Sequence, residues 1–232
     1  MSKGMSHARL CLSAAIVALG AAATAGCGPG AGPAPAPGAV DLVEGRLRLR
    51  VPFPCGTRVK IHCSYGPRCS HAHRFKHHRF RTNDHYAVDM SRDEPGNGAG
   101  KEVVAAAPGR VLRAGWARGG WAPYGQIVYL EHVLTGGAAD APRYQTLYAH
   151  LRAVTVRAGQ QVAAGDVIGR LGGSDRGGLR QLGPHLHFAL TRDARPGLGG
   201  GHAVRPEPLG RWRGLRTGLR IVACEGPRVA ER

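Results

Sequence analysis

The chain has 232 residues, room for one domain of ordinary size with extensions. Gly (36) and Pro (16) are abundant and charged residues make up only 20%, which suits a loop-rich β protein and argues against a helical bundle. The formal charge of +17 points to anionic surfaces such as cell-wall polymers, lipopolysaccharide or nucleic acid. Nucleic acid is not expected, because the basic residues are not interleaved with aromatic ones.

The first 26 residues read as a secretory signal peptide: Lys3, His7 and Arg9 make a basic start, and residues 10–25 are apolar and small. Ala25-Gly26-Cys27 also has the form of the end of a bacterial lipobox, with Thr24 where Leu is usual. Cys27 is therefore either a lipidated first residue or lies beside an ordinary cleavage site. Residues 27–40 form a Pro/Gly/Ala linker that cannot bury a core. Beyond the N-terminus no run of about 20 apolar residues occurs, so no internal membrane span is expected.

Ordered structure is expected from residue 41, where LRLRV alternates as a strand does, followed by a VPFPCG turn and a second strand, TRVKIHC. Residues 64–84 are a basic insertion. With His62 just before it, this stretch gathers His71, His73, His77 and His78, either a metal-binding tract or a solvated irregular segment. KEVVAAAPGRVLRAGW (101–116) reads as strand, Pro-Gly turn, strand; YGQIVYLEHV (124–133) and RYQTLYAHL (143–151) read as strands rich in β-formers. Residues 156–174 place Gly at each turn with Val or Ile between, and GLRIVAC (218–224) is a last strand candidate within an extension over 211–232. No stretch holds a helical period over 11 or more residues, and strands at roughly ten-residue spacing imply an antiparallel all-β sandwich or barrel.

Beyond Cys11 in the leader and Cys27, four cysteines remain: Cys55, Cys63, Cys69 and Cys224. An even number in an exported protein suggests two disulfides. An extended TRVKIH would hold Cys55 and Cys63 about 26 Å apart, out of reach of one another. Cys63–Cys69 across the SYGPR turn, and Cys55–Cys224 tying the ends of the domain, are the favoured pairs. A four-cysteine zinc site is disfavoured because no CxxC occurs.

GPHLHFAL (183–190) holds His185 and His187 one residue apart in a strand-like run. Alternation puts both on one face, about 7 Å apart along the chain. His85 and Asp89, in DHYAVDM, would be about 13 Å apart on a straight strand. They can share a metal only if the chain bends, with His85 in a loop and Asp89 on the strand.

In order, the chain offers HYAVD, LYAHL, AGQQVAAGDVIGRLG and GPHLHFAL. Over about residues 85–190 this set resembles the lysostaphin/LytM-type zinc metallopeptidases, which cut peptide cross-bridges of bacterial peptidoglycan. YGQIVYLEH is similar to that family's central strand and VVAAAPGRVLRAGW to the hairpin before it. The resemblance implies an all-β fold, a mostly antiparallel sandwich or half-barrel of the duplicated hybrid motif type with its groove on the sheet, here over residues 41–210. It implies one zinc ion per chain, held by His85 and Asp89 of HxxxD and by His187, the second histidine of HxH. It assigns His150 and His185 to the borders of the zinc-bound water. In some relatives the first ligand lies further upstream of the Tyr-Ala-x-Asp core, which leaves His77 and His78 as alternatives to His85. His132 resembles a non-ligand position.

The chemistry is coherent with that assignment. Three protein ligands leave a position open for water, as catalytic zinc requires. Imidazoles can move its proton, and with no HExxH present, histidine takes the part a glutamate base would have. The expected protein is an exported zinc endopeptidase acting on peptidoglycan, in the periplasm, at the cell envelope (lipid-anchored through Cys27 or not) or secreted. The alternatives are a non-catalytic member that binds the wall or activates another hydrolase, and a metal buffer built on residues 71–78.

Overall fold

The computed structural model describes residues 39, 40, 42, 43, 45–65, 84–134, 141–192 and 201–224. The signal segment, Cys27, nearly all of the linker, Cys69, and His71, His73, His77 and His78 lie outside the described residues.

Seven strands carry the main sheet: β1 (Arg58–Cys63), β2 (Val88–Arg92), β3 (Gly109–Trp116), β4 (Gln126–Leu134), β5 (Tyr144–Leu151), β6 (Leu186–Arg192) and β7 (Arg220–Val222). They pair antiparallel in the order β3-β4-β5-β6-β2-β1-β7, and Gln161–Val162 adds to the outer edge of β3. A second, three-stranded antiparallel sheet runs Ala153–Val154, Val167–Arg170, Glu102–Val104. Helical structure among the described residues is three short 3-10 turns, Asp84–Tyr86, Pro95–Gly98 and Gly119–Tyr124. The expectation of a mostly antiparallel β protein is met.

The two faces of the central strands have different neighbours. Tyr148 on β5 and Phe188 and Leu190 on β6 enter the main apolar cluster with Val128 and Leu130 of β4 and Val59 and Ile61 of β1. Side chains one position away, Leu147, Ala149 and Ala189, join a smaller cluster with Tyr124, Ile127 and Tyr129. This period of two is the reason so many β-branched and aromatic residues fall on these strands: both faces of β5 are buried along its whole length. Each fully buried large side chain contributes about 1.5–3 kcal/mol of transfer free energy.

Two buried polar side chains of the sheet, His132 and Tyr148, are matched. His132 of β4 is wholly buried; its Nδ1 lies 2.7 Å from the Pro108 carbonyl and its Nε2 2.8 Å from Thr146 Oγ1. The Tyr148 hydroxyl accepts the Ala106 N–H at 2.8 Å. LRLRV alternates in burial as the sequence suggests, Leu47, Leu49 and Val51 in and Arg48 out. Only Arg46–Leu47 is in a ladder, with Leu42–Val43; beyond it the segment makes an isolated bridge, Leu49 to Leu209, and the Arg50 N–H donates to Ala106 O at 2.8 Å.

The C-terminal segment is part of the same structure. β7 pairs with β1, and Leu215, Ile221 and Ala223 are in the main core. Cys224 is bonded to Cys55, with Cα atoms 4.8 Å apart across 169 residues of sequence. Cys63 is disulfide-bonded as well; the partner expected for it, Cys69, lies outside the described residues.

Candidate active site

β6 lies between β5 and β2, and its register sets the site. His187 is directly opposite Ala149 on one side and Asp89 on the other, so all three share a face. His187 Nδ1 and Asp89 Oδ1 are 3.0 Å apart. Both side chains are nearly withdrawn from solvent, at 4% and 9% exposure.

His150 reaches the same face by a different route. Strand alternation would send it with Tyr148 and Thr146 into the main core. Between β4 and β5, however, the register passes from Val128 opposite Tyr148 to Gln126 opposite Leu151. One residue on β4 thus faces two on β5, which is a β-bulge. His150 takes a left-handed backbone there, φ 62°, a conformation that a non-glycine residue adopts only where its surroundings enforce it. The side chain is turned to the site: its ring centroid is 4.7 Å from that of His185 and 5.8 Å from that of His187.

Both flanking histidines are held by main-chain carbonyls. His150 Nδ1 donates to Ser174 O at 2.8 Å and His185 Nδ1 donates to Gly183 O at 2.7 Å. A carbonyl can only accept, so in each neutral ring the proton is on Nδ1 and Nε2 carries the lone pair. Ser174 is itself fixed: it takes the Gln126 N–H at 2.9 Å and gives its hydroxyl proton to Leu151 O at 2.7 Å. Burial, and then His187 and His185, lower His150 to about 3, so it is a neutral base at physiological pH. For His187 burial alone works against the charged form, yet the carboxylates of Asp84 and Asp89 outweigh it and raise the imidazole to about 10.

The turn before β2 departs from expectation. His85 and Asp89 are a bend apart, as the spacing requires, but the 3-10 turn puts every third residue inward: Asp84 and Ala87 are buried and His85 is exposed. The His85 ring stands edge-on to Tyr86, centroids 4.7 Å apart. Asp84 turns to the site instead, accepting a short hydrogen bond from the Tyr124 hydroxyl and placing Oδ2 3.6 Å from His187 Nε2. Burial and this carboxylate push the Tyr124 phenol far up. The structure thus brings together Asp89, His187, His150 and His185, with His85 exposed beside Tyr86. Among the described residues no group of three or more His, Cys, Asp or Glu side chains is arranged to hold an ion.

Asp84, Tyr124 and Ser174 were not singled out from sequence. The period-three burial of the turn could have flagged Asp84, and the Tyr-Gly pair at the start of β4 could have flagged Tyr124. Nothing local marks Ser174. His62 is a further neighbour: its Nε2 is 2.6 Å from Ser91 Oγ, and burial, Lys60 and His185 lower its pKa.

Residues 83–206, just over half of the chain, match peptidase family M23. The chain belongs to that family. Among characterised M23-like sequences, the murein hydrolase activator EnvC of Escherichia coli is 38% identical over 117 residues, half of this chain and 22% of EnvC. The lipoprotein NlpD/LppB homolog of Pseudomonas aeruginosa is 35% identical over 99 residues, 42% of this chain and 27% of that protein. The chain thus spans about a quarter of the length of these relatives. Of solved structures, the catalytic domain of lysostaphin from Staphylococcus simulans is similar over 67% of this chain and 92% of its own, with 22% identity and a TM-score of 0.42. A putative glycyl-glycine endopeptidase LytM from Ruminococcus gnavus is similar over 70% of this chain and 60% of its own, with 18% identity and a TM-score of 0.49.

Proposed function

We propose that this M23 member is an exported zinc-dependent endopeptidase that hydrolyses peptide bonds of peptidoglycan. The observation that carries the reading is the pair of carbonyl-anchored imidazoles, His150 and His185, presenting Nε2 lone pairs beside the Asp89–His187 pair. A separation of 3.0 Å between Asp89 Oδ1 and His187 Nδ1 is near the roughly 3.3 Å expected of two tetrahedral ligands each about 2.0–2.1 Å from one zinc ion. These two residues fit zinc, and the third ligand is assigned to His85, with His77 and His78 as the competitors. When bound, zinc supplies Lewis acidity that polarises a carbonyl and acidifies water.

The chain's own groups do the rest. His150 Nε2 takes a proton from the attacking water, its neutrality secured by burial. The proton that His150 Nε2 takes passes from the same nitrogen to the departing amine, and His185 Nε2, at the more open side of the groove, accepts a hydrogen bond from the attacking water and orients it. Ser174 O and Gly183 O fix the two rings in the tautomer this needs. The positive charge of the chain favours an anionic wall surface.

A second reading has a specific observation behind it: the relative at 38% identity is named a murein hydrolase activator. Purified sacculi decide between them. Under the peptidase reading the chain alone, supplied with zinc, releases peptide-cleaved fragments identified by mass spectrometry, and a chelator stops the release. Zinc-loaded protein that binds sacculi and releases nothing, yet speeds a separate hydrolase, establishes the activator reading instead. Zinc stoichiometry in His85→Ala, His77→Ala and His78→Ala identifies the third ligand.

A further inference from the structure

His187 has a carboxylate at each of its ring nitrogens. Asp89 Oδ1 is 3.0 Å from Nδ1, and Asp84 Oδ2 is 3.6 Å from Nε2, within ion-pair range. Asp84 and His187 are each 4% exposed, so water and salt screen this pair little. A neutral imidazole carries one N–H and one lone pair. If Nδ1 gives its lone pair to a metal beside Asp89, the ring proton has to sit on Nε2, and Nε2 is the nitrogen that Asp84 stands against.

Asp84 is fixed in that place from two sides. Its main-chain carbonyl accepts the Ala87 N–H at 2.8 Å and closes the 3-10 turn before β2. Its Oδ2 accepts the short hydrogen bond from the Tyr124 hydroxyl. Tyr124 is buried in turn, with its ring centroid 5.3 Å from that of His187 and 5.6 Å from that of Trp121. A carboxylate withdrawn from water is costly unless it is paired, and the pairing here runs Tyr124 hydroxyl, Asp84, His187. A carboxylate against the far N–H of a ligating histidine fixes the tautomer and the ring orientation, and it makes the near nitrogen a stronger donor.

We propose that Asp84 is a positioning residue of the metal centre: held by the Tyr124 hydroxyl, its carboxylate keeps the His187 proton on Nε2 and so presents the Nδ1 lone pair to zinc beside Asp89. The inference rests on the zinc of the peptidase reading and deepens it.

The test uses the full chain with zinc as the only ligand. Zinc affinity is read by competition with a chromophoric chelator, and the state of His187 by NMR of isotope-labelled imidazole nitrogens. In the zinc-loaded wild type, His187 should carry the metal on Nδ1 and the proton on Nε2. Asp84→Asn keeps the shape and removes the charge. It should still take up one zinc per chain at saturation, but bind it about 10–100-fold more weakly. Tyr124→Phe, which keeps the carboxylate and removes its anchor, should weaken zinc in the same direction by a smaller factor. These two readouts on the wild type and Tyr124→Phe decide the matter if Asp84→Asn does not fold. A purely structural Asp84 would lower stability and leave the zinc affinity of the folded protein where it was. Metal on Nε2, unchanged affinity in folded Asp84→Asn, or less than one zinc at saturation in that variant, which would make Asp84 itself a ligand, would each overturn the proposal and leave the peptidase reading standing. A wild type that takes up no zinc overturns both.

Discussion

At the scale of single residues, neighbouring histidines have unlike surroundings. The ring centroids of His150 and His187 are under 6 Å apart, yet burial and the adjacent His187 and His185 drive His150 to its neutral form, whereas the carboxylates of Asp84 and Asp89 drive His187 to its charged form. Their substitutions should differ in the same way. His187→Ala removes a metal donor and should abolish tight zinc binding by direct metal analysis. His150→Ala should keep zinc and lose about 10²–10⁴-fold in turnover, the usual share of a general base. Zinc retained at full stoichiometry in His187→Ala contradicts the assignment. His132 gives a prediction about stability. Burial lowers it to about 4 in the folded chain, against 6.5 unfolded. From pH 6.5 down to about 4 the unfolded chain takes up a proton that the folded chain refuses. Stability is therefore full above pH 6.5 and falls below it, by roughly 3 kcal/mol from this one group. Urea midpoints measured across that range should fall less steeply for His132→Gln than for the wild type.

At the scale of elements, the HxH strand was legible in the sequence, and so was its partner. Alternation alone places His185 and His187 on one face, and β-rich composition marks β4, β5 and β6. What alternation could not show was the bulge. Read as a regular strand, YQTLYAHL sends His150 to the core with Tyr148, and only the extra residue against Ile127 turns it outward. The turn 84–86 hides a similar detail: HxxxD spacing says that a bend is needed, but not which of two adjacent polar residues a three-residue turn will bury. The bulge is held from outside by Ser174, and this makes Gly125 sensitive. Gly125 has φ +65°, and a Cβ there would overlap the Ser174 carbonyl and hydroxyl. Gly125→Ala should cost at least about 1–3 kcal/mol in thermal or denaturant unfolding. It should also lower activity at full zinc occupancy, because the carbonyl that fixes the His150 tautomer must move. A variant that loses stability alone would show that Ser174 does not position His150.

At the scale of the whole molecule, the sequence carried the fold class and most of the strand segments, but not their order in the sheet. It was poorer on how the ends are used. The C-terminal region 211–232 reads as an extension packed on the domain with one strand candidate, GLRIVAC, but its apolar residues are too sparse to show which strand it joins. In the structure β7 pairs with β1 and extends the main sheet, and Ile221 and Ala223 complete the core. The Cys55–Cys224 bond spans 169 residues. In the chain-entropy account, closing so long a loop restricts the unfolded state by about 4–5 kcal/mol, and removal of native disulfides typically costs 2–5 kcal/mol. Cys224→Ser should therefore lower the melting temperature by roughly 10 °C, and reductant should lower that of the wild type at least as far, because it also opens the bond at Cys63. An unchanged melting temperature would mean that the β1–β7 pairing holds that edge unaided.

The position of β6 has a consequence for when the protein can act. Asp89 and His187 are 98 residues apart in sequence, and β6 is the strand that joins the β3-β4-β5 half of the sheet to the β2-β1-β7 half. The same seven residues that zip the two halves together also bring His187 to Asp89 and to His150. No partly assembled chain has the groups in place, and one that loses β6 loses the chemistry with it. On the peptidase reading, activity is thus tied to completion of the fold, and an immature or damaged copy is silent rather than unregulated.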